Sequence, residues 1–153
     1  MKTYPELALF QHFGPTEAGL IGARNVYPYS GGADWICSQE KHWLFADTGM
    51  KKGDRIPGLV GFEWMGAPAN TPGLDVVARG RVGKGNLERE YTSTIYPGPR
   101  NKVVFNASTI WWADGLSAPP GYKTPSAHGA TPQGPDQRVQ QITANLLRRM
   151  RGG

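Results

Sequence analysis

In the run Ile56-Pro57-Gly58-Leu59-Val60-Gly61-Phe62-Glu63-Trp64 a single carboxylate interrupts an otherwise apolar stretch. Bounded by Pro and Gly, the stretch reads as a buried strand. A carboxylate there is exposed at the strand end, paired, bound to a cation or held with a shifted pKa, because an unpaired buried charge is too costly. Spacing alone favours a strand-end Glu that reaches water or an Arg. Glu63 is still the first candidate for acid/base chemistry. His42 is the second. Lys41-His42-Trp43 precedes the Thr48-Gly49 turn leading back to the Glu63 strand, and an imidazole folded against that carboxylate would make an acid/base pair. A half-exposed structural histidine fits the same spacing. Asn106 and the pair Trp111-Trp112 are candidates for lining a substrate pocket, although core packing explains the tryptophans equally well.

Other signatures are missing from the chain or read as structural. There is no Gly-x-Ser-x-Gly elbow, no His-Glu-x-x-His and no Cys-x-x-Cys. Gly80-Arg81-Val82-Gly83-Lys84-Gly85 has the wrong spacing for a phosphate loop and no Ser or Thr after the Lys, so it reads as a glycine-rich β-turn. Cys37 follows Trp35-Ile36 and is expected to be a buried, inert thiol. His12, His42 and His128 are too scattered to define a metal site, and Tyr91 and Tyr96 read as ordinary sheet residues rather than phenolate ligands.

The elements that must position these residues follow from texture. With 39% hydrophobic and 19% charged residues, a chain of 153 residues is one globular domain or part of one. The 21 Gly and 13 Pro imply short elements and many turns. No run approaches about 18 consecutive apolar residues, the N-terminus has no secretory apolar core, and a lone cysteine suits a reducing compartment, so the expectation is a cytoplasmic protein without a membrane partner. The net charge of +5 is spread over turns and a helix end without interleaved aromatics, which argues against a nucleic-acid partner.

Residues 1 to 33 read as irregular, and Ala33 to Phe45 as a short helix. Gly66 to Gly73 reads as a loop. Strands are expected over Leu74 to Gly80, Glu90 to Tyr96 and Lys102 to Ala107, the last as a central strand because it is almost continuously apolar. Pro97 to Asn101 is hairpin-length. Ser117 to Pro135 is a long polar loop. Asp136 caps a closing helix whose apolar stripe is Val139, Ile142, Leu146, Leu147 and Met150.

Several of these motifs together resemble the C-terminal region of the N,N-dimethylformamidase large (beta) subunit-like family. They are Gly32-Ala33-Asp34-Trp35, the run from His42 to Met50, the run from Gly58 to Trp64, the run from Lys102 to Trp112, and Ile142-Thr143-Ala144-Asn145-Leu146-Leu147. The ordered series extends from roughly Arg24 to Met150. The resemblance implies an α/β fold, the C-terminal part of a class I glutamine amidotransferase-like domain, with mostly antiparallel strands and a closing C-terminal helix. It implies that residues 1 to 153 form one incomplete domain that pairs with a missing upstream half-domain or with itself. It also implies hydrolysis of a small amide's C–N bond using a mononuclear iron held by tyrosines and a glutamate. Those ligands fall upstream, so no cofactor is expected in this chain and iron only in a complete parent. Glu63 is similar to the family's glutamate in a Gly-x-Glu setting. The competing expectations are a noncatalytic binding or assembly module and an inactive truncated fragment.

Overall fold

Trp35 organises the centre of the molecule. The computed structural model describes residues 17–25, 31–61, 63–83, 85–123 and 131–152. In chain order the elements are α1 (Ala18–Ile21), β1 (Ala23–Asn25), β2 (Ala33–Ile36), a 3-10 turn at Trp43–Phe45, β3 (Arg55–Val60) and β4 (Met65–Pro68). Then come β5 (Asp75–Val82), β6 (Arg89–Pro97), β7 (Val103–Asn106), a 3-10 turn at Ile110–Trp112 and α2 (Gln137–Arg151). Every described strand pair is antiparallel: β1 with β4, β2 with β3, and β5–β6–β7 in that order. The molecule is therefore mixed α/β, with antiparallel strands and a C-terminal helix.

Trp35 lies on β2 with no exposed surface, and its Nε1 donates to Ser93 Oγ at 2.7 Å and to the Ala107 carbonyl at 3.2 Å. One side chain thus joins the β2–β3 pair to β6 and to the end of β7. Tyr91 makes a second join. Its hydroxyl accepts from Ile36 N at 2.8 Å and donates to the Asp34 carbonyl at 2.7 Å. The ring leans over Gly80, its partner on β5, where a Cβ would stand 2.7 Å from the ring edge.

The structure corrects four expectations. Ala33 to Phe45 is a strand followed by a 3-10 turn, not a helix: pairing of Trp35 with Ile56 outweighs a helical spacing of aromatics. The apolar run ending at Trp64 is not one strand. β3 stops at Val60, and Met65 to Pro68 starts a new strand where a loop was expected. β6, not β7, is the central strand; its residues Tyr91 to Ile95 are buried on both faces while β7 is only half-buried at the edge. Residues 1 to 33 are not wholly irregular, since α1 and β1 fall within them; Gly14-Pro15, Pro28 and Ser30 lie outside the described residues. A bulge between Val76 and Ala78 on β5 leaves the consecutive residues Val77 and Ala78 both buried.

The closing helix agrees closely with its sequence reading. Asp136 Oδ1 accepts from Arg138 N at 2.8 Å as the N-cap. Val139, Ile142 and Leu146 are buried, whereas Leu147 is 58% exposed and leaves the stripe. Asn145 is buried, and its amide donates to the Leu44 and Ala46 carbonyls, fixing the first 3-10 turn against α2. Truncation of Leu146 to Ala should cost ~2–5 kcal/mol of unfolding free energy, read from denaturant curves. A change near zero would mean that α2 is peripheral to the fold.

Asp136 also gives the helix a pH dependence. The Arg138 guanidinium, bonded to its carboxylate, holds Asp136 below the usual carboxylate range, with help from backbone N–H groups and against partial burial. A carboxyl depressed on folding binds fewer protons in the folded state, so its stabilisation is present above the unfolded value and is lost as pH falls through the folded one. Asp136→Ala should cost ~0.5–2 kcal/mol near neutral pH. The gap from the wild type should close as pH drops below about 4. A gap that does not change with pH would contradict the charge-based cap.

Candidate functional site at the junction of β3 and β4

The junction between β3 and β4 carries Glu63 and is pinned from one side by the turn that follows β7. Thr109 Oγ1 donates to the Leu59 carbonyl at 2.8 Å and accepts from Gly61 N at 3.3 Å. Ser108 Oγ accepts from Met65 N at 2.7 Å and donates to the Met65 carbonyl at 3.0 Å. Two short hydroxyl side chains therefore hold both ends of a four-residue crossing. Asn106 shapes the turn that delivers them, since its Oδ1 accepts from Ser108 N at 2.8 Å.

Trp111 lies against the same crossing. It is buried, and a Cβ on Gly61 would stand 2.1 Å from its ring, so only glycine admits the indole at that position. Glu63 sits between these anchors with φ of +57°, in the left-handed region. Ser108 across the stitch has φ of +60°. A non-glycine residue in this region stores ~1–3 kcal/mol and persists only where its surroundings impose it. Trp64, next in sequence, is fully buried, whereas Glu63 is exposed. The crossing presents the carboxylate outward on a constrained backbone.

Three of the four residues singled out in the sequence meet here. Glu63, Asn106 and Trp111 share this junction. His42 lies apart. Its Nδ1 accepts from Leu44 N at 3.2 Å, capping the first 3-10 turn, and its Nε2 is 3.8 Å from Asp75 on β5. Burial lowers its pKa below the ordinary value, against the opposing pull of Asp75. Among the described residues no hydrogen bond or ion pair joins His42 to Glu63. The cap turns the imidazole towards Asp75, in the half-buried structural setting that also fits the sequence spacing.

Spare hydrogen-bonding capacity remains beside the stitch. Asn106 Nδ2, Trp111 Nε1 and Thr94 Oγ1 are buried without a partner among the described residues, and Thr94 faces Asn106 directly across the β6–β7 ladder. Unpaired buried polar groups are rare and costly, so three around one turn mark it out from the rest of the core. Sequence reasoning missed the part played by Ser108 and Thr109. The visible signal is the run Asn106-Ala107-Ser108-Thr109, whose short polar side chains are suited to bonding nearby backbone.

The described residues do not fit an iron held by phenolates. Tyr91 spends its hydroxyl on β2, and burial pushes its pKa far above the ordinary value. Tyr96 donates to the Leu20 carbonyl at 2.6 Å, and Tyr122 donates to Asp114, which also raises its pKa. Among the described residues there is also no group of three His, Cys, Asp or Glu arranged to hold a metal ion. Cys37 is buried, and its thiol is pushed up chiefly by that burial, in keeping with an inert side chain. No described helix is long and apolar enough to cross a membrane.

These features define an antiparallel α/β domain that holds one carboxylate outward on a constrained crossing. The family model for N,N-dimethylformamidase beta subunit-like proteins, C-terminal, matches residues 3–127, and the chain belongs to that family. The matched stretch includes the whole junction and stops short of α2. No match was found among curated proteins or among solved structures.

Proposed function

We propose that this chain supplies one wall of the pocket in which a dimethylformamidase-like protein hydrolyses the C–N bond of a small amide, with Glu63 as the proton-transfer group. The observation that carries the reading is the constrained presentation of Glu63. Glu63 lacks the short side chain that eases such a backbone at exposed Asp47, and here two hydroxyl stitches and a glycine–tryptophan contact flank the left-handed position. The exposure of the carboxylate suits a pocket completed by chain outside the described residues, as in the C-terminal part of a glutamine amidotransferase-like domain.

In the reaction, Glu63 takes a proton from a water molecule as that water attacks the amide carbonyl. It then gives the proton to the departing amine nitrogen as the C–N bond breaks. Acid and amine leave, and the carboxylate is regenerated. No step is assigned to iron in the described residues, because their tyrosine hydroxyls are already engaged. The test is amine release from a small N-alkyl amide by the full-length protein before and after Glu63→Gln. Turnover lost in a folded variant supports the reading, and full turnover removes it.

A second reading has one observation in its favour. An exposed carboxylate on a fixed crossing also suits an assembly contact with a cation on a partner surface, as a noncatalytic module would make. Glu63→Gln would then weaken association and leave the rate per assembled protein unchanged.

A further inference from the structure

A cleft of about 630 Å³ lies on another part of the molecule, between the Trp43 turn, the β6–β7 connection and the C-terminal end of α2. Its lining includes Trp43, Lys102, Asn145, Arg148 and Arg149, and no carboxylate among the described residues. We propose that this cleft binds a small multiply charged oxyanion of the phosphate type. Arg148 and Arg149 lie beyond the stretch matched by the family model, whereas Trp43 and Lys102 lie within it, and Glu63 does not line the cleft.

Three observations carry the proposal. First, each cation is held in place by a neutral group, which leaves its charge uncompensated. Lys102 Nζ donates to the Met150 carbonyl at 3.0 Å, Arg148 donates to Asn145 Oδ1 at 3.1 Å, and the Arg149 guanidinium stands 5.6 Å from the Trp43 ring centroid. Among the described residues no carboxylate comes within ion-pair distance of these three cations, and none lines the cleft they share. Second, the cations come from two elements far apart in sequence, so the helix does not assemble the cluster alone. The C-terminal end of α2 carries about half a negative charge, which offsets only a fraction of three positive charges. Third, the volume falls within the small-ligand range of roughly 300–1,000 Å³.

The chemistry then selects the ligand. Guanidinium forks bind phosphate oxygens in pairs, and a lysine adds a mobile point charge. The fixed Asn145, tied by its amide to two backbone carbonyls, gives the floor a rigid base.

The experiment titrates inorganic pyrophosphate into the full-length protein at low ionic strength, by calorimetry. The proposal expects saturable one-to-one binding that weakens about tenfold or more in Arg148→Gln/Arg149→Gln, since each removes a charge-assisted hydrogen bond. Lys102→Gln, on a separate element, should weaken binding in the same direction and guards against a helix defect in the double variant. Lys51→Gln/Lys52→Gln removes equal charge elsewhere and should leave binding unchanged. Absence of saturable binding, or equal losses in the cleft and control variants, would overturn the proposal.

Discussion

Trp35→Ala should lose ~3–5 kcal/mol of unfolding free energy, the largest stability effect expected of a single truncation in this chain. The indole is fully buried and packs at 6.0 Å from the Phe45 ring and 5.6 Å from Trp112. Its Nε1 also bridges β2 to Ser93 and Ala107. Removing it opens a cavity where the β2–β3 pair meets the three-stranded sheet and withdraws a donor from the half-buried Ala107 carbonyl, which retains Ser93 Oγ at 2.7 Å. Denaturant unfolding of Trp35→Ala and Trp35→Phe separates the two contributions. Phe keeps much of the volume and loses the hydrogen bonds, so it should fall between Ala and wild type. A loss below about 1 kcal/mol in the Ala variant would mean that the sheets are held by contacts other than this residue.

The elements set by local rules were legible in the sequence. Asp136 after Gly134-Pro135, followed by apolar residues three and four apart, specified α2 through capping and periodicity, both properties of adjacent residues. β5 and β6 were found within one or two residues at each end because β-branched and aromatic residues fill them. The errors arose where distant contacts decide. Trp35 is a strand residue because Ile56 pairs with it and Ser93 receives its indole, and neither is visible from its neighbours. β7 is apolar yet lies at an edge, since α1 and Trp112 cover it in place of a further strand.

The candidate site divides in the same way. Glu63 was identifiable as an anomaly, a charge in an apolar run. Its left-handed backbone was not, because hydroxyls more than forty positions downstream impose it. Asn106 and Trp111 belong with it through that same turn, whereas His42 was grouped with it on sequence proximity alone. The imidazole instead follows its own cap, two residues away at Leu44. The cationic cleft was hidden for a related reason. Arg148 and Arg149 stand in the last turn of α2, and the fold alone brings Lys102 and Trp43 beside them.

The central claim is that the Glu63 carboxylate moves the proton in amide hydrolysis. The most direct measurement is the turnover number of the full-length protein on a small N-alkyl amide, wild type against Glu63→Gln, with unfolding curves taken on the same samples. Gln keeps the side-chain length and removes the acid/base function. A positioned acid/base contributes about 10²–10⁴ in rate, so turnover should fall by that factor. Because the side chain is exposed and its backbone is held by Ser108 and Thr109, the unfolding midpoint should stay close to that of the wild type. A folded Glu63→Gln protein that turns over at the wild-type rate would contradict the account.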